Sequence, residues 1–558
     1  MRSIKTRHFT GTTDNTVTKR ELDNRKVARK AAAEGMVLLK NEGQLLPLKE
    51  GSKVALYGVG ASRTIKGGTG SGDVNERETV SIYQGMKNAG FEITTEDWIK
   101  DYDKQYQDAR YAWRDEIENK ASRLEDQVSG FFNVYSTTPF RMPAGAPVTK
   151  TDADVAIYIL SRVAGEGADR FDEAGDYYLT EEEKKQLADI CGMYKHVIVA
   201  VNTGGLADLS FMDEYANIEA LLQIVQPGME AGNAFADIIS GKVTPSGKMT
   251  DSWAYKYEDY PNSKTFSHNN GNVNKEYYTE GLYVGYRYFD SFDVPVRYGF
   301  GYGLSYTTFE TKVLSTVLKD NKIIVETETT NTGNTYSGKE VVQLYATCPA
   351  GKLEKEYRRL AAFGKTGLLA PGQSEKMTLE IALDRLTSYS ESEAAWVLEK
   401  GSYVIWAGNS LESSSPCAVL ALDGDITLTK TQNICPLKEE LEEMKQSSEK
   451  MNQKLVALLK LTEEKALPVM ELKAADVATR VVEYHSNAEC VPAEAREFVD
   501  TLSTEKLVAL ASGDPGKGQG SNLGSAGISV PGSAGETNNC ALEDGIPGIV
   551  LSDGPAGL

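Results

Sequence analysis

Four short, almost uninterrupted runs of apolar residues place the strongest constraint on the fold of the first half of the chain. They are KVALYG, DVAIYIL, HVIVAV and ALLQIV, at residues 53–58, 154–160, 196–201 and 220–225. Strands that are apolar at every position are typical of parallel sheets covered on both faces, and the intervening segments have helical patterns. In one of them Thr180 and Glu183 form a capping-box signature. Residues 1–260 are therefore predicted to form an α/β sandwich with a mostly parallel sheet.

The hydrophobic period changes from helical to strand-like after residue 305. Alternate residues are apolar at 377–383 and again at 403–407, and the turn signals NTGN and APGQ separate such runs. The pattern predicts a small antiparallel β-sandwich over residues 305–428. Residues 261–304, which are rich in Tyr, Phe and Gly, are predicted to be a connector. Their tyrosines fit a hydrophobic seam between domains, which we favour, or a surface that stacks on sugar rings.

Residues 429–497 are predicted to be a helical linker. Its centre, 436–461, carries Leu and Met at spacings of three, four and seven among Glu and Lys, which is typical of one long amphipathic helix. We favour a helix that lies on a neighbouring domain over a partner-binding coiled coil, because Ser448 interrupts the apolar stripe. After residue 498 a further unit begins, with a helix capped by Ser503, a glycine-rich stretch and GIVL before the final LSDGPAGL. About 60 residues cannot close a large domain, so we expect this unit to be cut short.

The acidic balance of the chain excludes several classes of partner. The chain has 60 basic and 80 acidic residues and a net charge of -20, which repels nucleic acids and anionic membranes, so neither is an expected partner. The four histidines and six cysteines are scattered without metal-ligand spacing, and no metal or organic cofactor is expected. Reduced thiols and the lack of a secretion-type apolar core near the amino terminus predict a cytoplasmic protein. The sequence leaves assembly into a homo-oligomer open.

The loop after DVAIYIL carries the candidate catalytic residue. It reads SRVAGEGADRFDE at 161–173, and Glu166 lies between two glycines, six residues beyond the end of the apolar run. Ligands of parallel α/β sheets bind outside the carboxyl ends of the strands, so a carboxyl group here is suited to general acid catalysis. Paired carboxyl groups acting on a neutral, hydroxyl-rich ligand are the chemistry of glycoside hydrolysis. The competing interpretation is a solvated turn, and Arg170 is expected to steady the loop by pairing with Asp169 or a neighbouring acid.

A glycine-rich loop after KVALYG, with the sequence GVGASRTIKGGTGSGDV, raises the alternative of phosphate binding. It lacks the Lys-Ser/Thr ending of a P-loop and the spacing of a dinucleotide fingerprint. Asp73, Glu76 and Glu78 would also repel a phosphate at the start of the next helix. The loop is better interpreted as a flexible wall beside a neutral ligand, and nucleotide binding is not expected.

Seven motifs together resemble glycoside hydrolase family 3, the β-glucosidase and β-xylosidase group. They are AAAEGMVLLKNEGQLLPL (31–48), GGTGSGDV (67–74), SRVAGEGADR (161–170), PSGKMTDSW (245–253), EGLYVGYRYFD (280–290), YGFGYGLSYTTFE (298–310) and LSDGPAGL (551–558). Each motif is weak alone, but seven in consistent order are specific. The resemblance covers nearly the whole chain outside 436–461.

The resemblance implies a (β/α)8 barrel, an α/β sandwich and a fibronectin type III-like domain, here residues 305–428. The barrel usually comes first in the family, whereas LSDGPAGL, which resembles its start, comes last here. The implied arrangement is an inverted domain order in which residues 498–558 are the first part of an incomplete TIM barrel. By resemblance, Glu166 matches the acid/base, Ser71 a residue that lines the sugar site, and Asp553 the aspartate that binds sugar hydroxyls.

The sequence therefore predicts a multidomain α/β and all-β protein that is part of a retaining β-glycosidase. A β-glucosidase that releases terminal β-linked sugars from an oligosaccharide or β-glucoside is the favoured function. The nucleophile implied by the resemblance is a barrel aspartate beyond Leu558, so this chain alone is expected to be inactive or nearly so. The alternative is a non-catalytic carbohydrate-binding or adhesion module.

Overall fold

The four apolar runs of the first half of the chain form the centre of one sheet in the computed structural model. The structure describes residues 15–69, 72, 76–124, 127–165, 169–267, 269–272, 274–486, 490–512, 533–537 and 540–552. The strands of the sheet are β1 (Val37–Asn41), β2 (Lys53–Tyr57), β3 (Glu92–Ile93), β4 (Val155–Arg162), β5 (His196–Thr203) and β6 (Ile218–Gln223). Their spatial order is β1-β6-β5-β4-β2-β3, and every pairing is parallel except that of β1 with β6. The predicted mostly parallel sheet is confirmed.

Helices cover both faces of this sheet. They are α1 (Lys19–Gly35), α2 (Ile82–Asn88), α3 (Glu96–Ala121), α4 (Gln127–Thr137), α5 (Glu181–Met193) and α6 (Ala231–Ile239). Apolar residues of α1, α2 and α6 pack on one face together with Leu56 and Ile157, and those of α5 pack on the other face with Tyr57 and Tyr158. Successive strand residues therefore enter different cores, which explains why the strands are apolar throughout instead of alternating.

Helix α5 begins with the capping box that its sequence predicts. The Glu183 N–H donates to Thr180 Oγ1 at 3.1 Å, and the Thr180 N–H donates to Glu183 Oε2 at 2.9 Å. These two bonds satisfy backbone donors that the first turn of a helix leaves without partners. The same Glu183 carboxylate pairs with Arg162 at the end of β4, so the start of the helix is attached to the carboxyl edge of the sheet.

The aromatic connector packs between the α/β sandwich and the β-sandwich. It includes α7 (Tyr286–Phe292) and β8 (Val296–Tyr298), which pairs antiparallel with β7 (Trp253–Ala254). The rings of Tyr286 and Phe300 stack with centroids 4.4 Å apart, and both lie near Tyr345 of the β-sandwich. On the other side, the Tyr302 hydroxyl donates to Leu39 O of the α/β sandwich at 3.3 Å. These aromatic residues form a hydrophobic seam between the two domains, the interpretation that we favour over a surface that stacks on sugar rings.

The second half of the chain contains the predicted β-sandwich. Its strands are β9 (Phe309–Lys319), β10 (Lys322–Asn331), β11 (Val341–Thr347), β12 (Arg359–Lys365), β13 (Ser374–Ala382), β14 (Ser388–Ser390), β15 (Ala395–Leu398), β16 (Gly401–Gly408), β17 (Ser415–Leu422) and β18 (Ile426–Lys430). All pairings among these ten strands are antiparallel. Ile323 and Ile381 of one sheet pack against Leu344 and Ile405 of another, which forms the core.

The prediction of one helix over 436–461 is wrong in its first half. Helix α8 spans Ser448–Glu464, and Ser447 caps it by accepting a hydrogen bond from a backbone N–H of its first turn. The residues before the cap bond to other parts of the chain instead: the Met444 N–H donates to Thr279 O at 2.6 Å. A backbone donor used in this way is not available to an α-helix, so the helix starts only where these long-range bonds end.

Helix α8 lies on the β-sandwich, as the favoured interpretation predicts. Leu458 is 4% exposed and packs in a cluster with Val404 and Trp406. The chain then adds β19 (Val469–Leu472) beside β17 and β20 (Arg480–Val481) beside β18, both parallel. Residues 469–481 are therefore not part of a helical linker over 429–497, because they complete two sheets of the β-sandwich.

The last described residues form two short helices and a hairpin. These elements are α9 (Ala493–Val499), α10 (Thr504–Ser512), β21 (Ser533–Glu536) and β22 (Val550–Ser552). Ser503 Oγ accepts a hydrogen bond from the Lys506 N–H at 3.3 Å, which is the predicted cap. Strand β22, which begins within GIVL, pairs antiparallel with β21, whereas neighbouring strands of a (β/α)8 barrel are parallel. The assignment of 498–558 to a TIM barrel stays a prediction.

None of the helices within the described ranges combines the length and the apolar character that crossing a lipid bilayer requires.

Candidate active site

The three site residues predicted from the sequence, Glu166, Ser71 and Asp553, lie outside the described residues. Glu166 follows β4 in the chain and Ser71 follows β2, and these two strands are neighbours in the sheet. The structure describes the residues that come just before them, Gly165 and Thr69, and both line one cleft at the carboxyl edge of the sheet. The site can therefore be built from the residues on either side of the predicted ones.

The two loops are in backbone contact at this edge. A Cβ atom added to Gly165 would lie 2.3 Å from Thr69 N, and one added to Gly68 would lie 2.4 Å from Ala164 O. Such distances are far shorter than an ordinary van der Waals contact, so only glycine allows the two backbones to approach this closely. Residues 68–69 and 164–165 thus meet shortly before Ser71 and Glu166 in the chain.

Asn202 near the end of β5 connects the loops that follow β2 and β6 with the end of a third strand, β4. Its side chain is fully buried, and Nδ2 donates to Ile65 O at 2.9 Å and to Val225 O at 2.6 Å. Its Oδ1 accepts from the Ile65 N–H at 2.7 Å and from Ser161 Oγ at 3.0 Å. With its four hydrogen-bonding positions occupied, one amide positions the loops after β2 and β6 against the end of β4.

Arg170 anchors the far end of the loop that contains Glu166. Its guanidinium forms an ion pair with Asp176 and donates to Thr203 Oγ1 at 3.2 Å. Asp176 is 3% exposed and also accepts a hydrogen bond from Arg141 Nη1 at 3.0 Å. The expected pairing of Arg170 is therefore with a neighbouring acid, Asp176, rather than with Asp169.

A buried ion pair lies beneath this loop. Arg162 Nη1 and Nη2 donate to the two carboxylate oxygens of Glu183 at 2.8 and 2.7 Å, and Arg162 Nε donates to Asp176 O at 2.8 Å. Both side chains are almost inaccessible to solvent. Burial, and then the Glu183 charge, raise the pKa of Tyr158 well above its usual range, so this phenol stays protonated and neutral. The pair fixes the turn around Asp176 to the end of β4.

A cleft opens between these loops and the hairpin of α3 and α4. It contains about 630 Å³ of empty space, including its open mouth. The lining residues on the loop side are Thr69, Val163, Ala164, Gly165, Asp169, Arg170 and Asp176, and those on the hairpin side are Tyr106, Arg110, Trp113, Tyr135, Pro139, Phe140 and Arg141. Aromatic walls with a few polar groups are typical of sites for small organic ligands and sugars. Within the described ranges, no group of three or more His, Cys, Asp or Glu side chains is arranged to hold a metal ion.

Comparison with family models separates the chain into the same two units. Residues 36–286 match the glycosyl hydrolase family 3 C-terminal domain, and residues 340–411 match the fibronectin type III-like domain. The α/β unit is a family 3 C-terminal domain. The second match confirms the fibronectin type III-like character that the resemblance implied for the β-sandwich.

Proteins and solved structures similar to this chain include several that are named as β-glucosidases. The chain is 34% identical to β-glucosidase A of Butyrivibrio fibrisolvens over 69% of this chain and 49% of that protein. It is 31% identical to a β-glucosidase of Ruminococcus albus over 96% of this chain and 55% of that protein. The chain thus spans about half the length of these curated relatives.

Solved structures give the same result. A β-glucosidase from Paenibacillus barengoltzii superposes with a TM-score of 0.62 at 35% identity, over 72% of this chain and 44% of that one. β-Glucosidase 3B from Thermotoga neapolitana in complex with glucose superposes with a TM-score of 0.61 at 35% identity, over 73% of this chain and 55% of that one. Over 72–73% of its length, this chain therefore has the fold of the matching parts of these two β-glucosidases.

Three residues that position the loops of this family 3 C-terminal domain were not predicted from the sequence. Arg162 and Asn202 each interrupt an apolar run at the carboxyl end of a strand. Such an interruption is a usable signal, because a polar side chain buried in a strand must find partners. Asp176 had no comparable signal, since it is one of several acids in an exposed-looking loop.

Proposed function

We propose that this chain is the acid/base-bearing part of a retaining β-glucosidase, with Glu166 as the general acid and base. The observation that carries the proposal is the anchoring of the loop on both sides of that residue. Gly165 on one side is packed against Thr69, and Arg170 on the other is held by Asp176. Only three residues, 166–168, lie between the described ends of this loop, and the described residues at both ends line the cleft.

The chemistry follows from two carboxyl groups that act on one glycosidic bond. Glu166 protonates the departing oxygen while a second carboxylate attacks the anomeric carbon, and Glu166 then removes a proton from the water that releases the sugar. The charge of the chain supports a neutral glycone, because a net charge of -20 disfavours a phosphorylated or otherwise anionic sugar ring. The names of the relatives support a β-glucoside as the substrate class.

The proposal assigns the other groups to a (β/α)8 barrel in an inverted domain order. Residues 498–558 would form the first part of this barrel, with Asp553 bound to sugar hydroxyls and Ser71 lining the same sugar site. The nucleophile would be an aspartate of the barrel beyond Leu558. The described hairpin of β21 and β22 does not by itself support a barrel.

The test uses the protein in the form that its gene encodes, assayed on cellobiose and on aryl β-glucosides and β-xylosides. In Glu166→Ala, kcat/KM on cellobiose should fall by roughly 100-fold to 10,000-fold, the usual contribution of a general acid. Hydrolysis of 2,4-dinitrophenyl β-glucoside, whose leaving group needs no protonation, should be rescued by azide with formation of β-glucosyl azide. Asp172→Asn, an exposed acid in the same loop, is the matched control and should keep full activity.

Two outcomes would contradict the proposal. Undiminished hydrolysis of cellobiose by Glu166→Ala would remove Glu166 from the chemistry. A wild-type protein that binds β-glucosides but hydrolyses none would support the non-catalytic carbohydrate-binding module instead.

A further inference from the structure

The hairpin of α3 and α4 brings a cluster of aromatic side chains to the wall of the cleft. The hairpin is inserted between β3 and β4 and contributes no strand to the sheet. The Phe140 centroid lies 5.4 Å from that of Tyr106 and 5.6 Å from that of Trp113. The Tyr135 ring lies 5.7 Å from Trp113. Part of this cluster faces the cleft instead of the core, which a purely structural role does not require.

Arg110 lies within this cluster without an acidic partner. Its guanidinium carbon is 4.5 Å from the centroid of Trp113 and 5.1 Å from that of Phe140. In the part of the chain that the structure describes, it forms no hydrogen bond and no ion pair. The other two arginines of the cleft, Arg141 and Arg170, are both paired with Asp176. Arg110 is thus held in place by two rings while its N–H donors remain available to a ligand.

We propose that this part of the cleft is a subsite for an aromatic leaving group that carries a carboxylate, with Arg110 as its donor. The inference rests on the proposed function, because the cleft is also lined by Ala164 and Gly165, which directly precede the proposed acid. The group nearest to that acid in a Michaelis complex is the one attached to the oxygen that it protonates, which is the leaving group.

The chemistry of the walls selects the occupant. Aromatic edges and faces favour a planar, apolar ring over a fully hydroxylated one. A guanidinium with free donors favours a planar anion, which it can bind through two parallel hydrogen bonds. The two acids that line the cleft have other partners than Arg110: Asp176 pairs with two other arginines, and Asp169 accepts a hydrogen bond from Ser267 Oγ at 2.5 Å. A phenolic acid linked through its phenol oxygen to glucose has both features.

The experiment measures binding by titration calorimetry and ligand-observed NMR with the full chain, so that it does not depend on turnover. The probes are 4-carboxyphenyl β-D-glucoside, its neutral methyl ester and cellobiose, each as the sulfur-linked analogue, whose glycosidic bond resists hydrolysis. Wild type should bind the carboxylate most tightly. Arg110→Met should weaken that binding about tenfold, the scale of one charge-assisted hydrogen-bonded pair, and should leave the ester unchanged.

Two further variants keep the test decisive. Arg110→Lys retains the charge but not the planar fork, so it should bind the carboxylate with intermediate affinity. Arg114→Met removes an exposed arginine one helical turn further along α3, where it is 3.6 Å from Glu118, and should bind like wild type. Circular dichroism of every variant excludes loss of folding as the cause.

The proposal is overturned if Arg110→Met and wild type bind the carboxylate equally, or if wild type binds cellobiose more tightly than both aryl glucosides. Binding that depends on Arg110 in a protein whose Glu166→Ala variant hydrolyses cellobiose normally would leave the subsite standing and refute the proposed acid. If Glu166→Ala loses hydrolysis but binding does not depend on Arg110, the proposed acid is supported and the subsite is refuted.

Discussion

Asn202 pairs with both backbone polar groups of Ile65, donating to its carbonyl at 2.9 Å and accepting from its N–H at 2.7 Å. A residue of a neighbouring strand would form the same pair of hydrogen bonds with Ile65. Here the Asn202 side chain forms them, beyond the end of the sheet. The loop after β2 is therefore held as firmly as if it were paired, and it leads directly to the GGT segment at the cleft.

Removing the Asn202 amide should destabilise the α/β sandwich strongly. In Asn202→Ala the N–H and carbonyl of Ile65 and the carbonyl of Val225 lose buried partners, which we expect to cost about 3 kcal/mol of unfolding free energy. Urea unfolding followed by intrinsic fluorescence measures the loss. Asn88→Ala, an exposed amide bonded to Asn233 at 3.0 Å, should change stability by less than about 0.5 kcal/mol. Equal effects of the two substitutions would refute the role given to Asn202.

Neutralising Asp176 should release the loop that carries Glu166. In Asp176→Asn two arginines, Arg141 and Arg170, face each other without the buried carboxylate between them, and we expect a loss of about 3–5 kcal/mol. Limited proteolysis should then cut between residues 163 and 178, where we expect the wild type to resist. Asp172→Asn, which changes an exposed acid of the same loop, should leave the cleavage pattern unaltered; cleavage in both variants would contradict the prediction.

Truncating Leu458 should detach α8 from the β-sandwich. Leu458 is 4% exposed, so Leu458→Ala loses buried contacts worth about 2–4 kcal/mol, and amide hydrogen exchange across 448–464 should accelerate accordingly. Val456 on the same helix is 68% exposed, and Val456→Ala should leave exchange unchanged or slow it slightly because alanine favours helix. Unchanged exchange in Leu458→Ala would mean that the helix does not depend on this contact.

The buried carboxyl group of Asp251 should lower the free energy of unfolding as the pH rises above about 4. Burial raises the pKa of its carboxyl, which accepts one hydrogen bond from Trp253 Nε1 at 3.1 Å. A native state that holds the proton more tightly than the unfolded chain loses stability from the unfolded pKa up through the native one. Asp251→Asn, which keeps the acceptor without the charge, should therefore gain Tm relative to wild type at pH 7 and less so at pH 4.

Asp152→Asn is a control of opposite sign for this pH dependence. The hydrogen bond from Lys53 lowers the pKa of the exposed Asp152 carboxyl, so its small contribution is present at pH 7 and is lost as the pH falls. Its substitution should lower Tm at pH 7 more than at pH 4. The same trend with pH in both variants would show that the assignment to Asp251 is wrong.

The central sheet could be predicted because each of its strands is buried on two faces. Residues such as Tyr57 and Leu56 pack in the cores on opposite faces of the sheet, so the continuous apolar run itself indicates a sheet that is covered on both faces. The start of α8 could not be read in this way. The Leu and Met spacing continues through 436–447, but long-range bonds such as that of Met444 to Thr279 O take the backbone donors that a helix would use.

The site was predictable only in part for a similar reason. The position of Glu166 after a parallel strand follows from the sheet rule, whereas the partners of Arg162 and Arg170 depend on where the turn around Asp176 folds back. The aromatic wall of the cleft was not anticipated at all. Its members, including Trp113 and Phe140, come from a hairpin whose sequence has no strand or motif signal and whose orientation is a tertiary property.

The parallel strands β19 and β20 determine where a fragment that contains only the β-sandwich should end. Ending a recombinant fragment near residue 430, where the sequence pattern stops, would strip the outermost strand from two sheets at once. The edges of β17 and β18 would then expose unpaired backbone N–H and C=O groups, which can pair with strands of other molecules and cause aggregation. A fragment that runs to about residue 486 keeps β19 and β20 paired with these two edges.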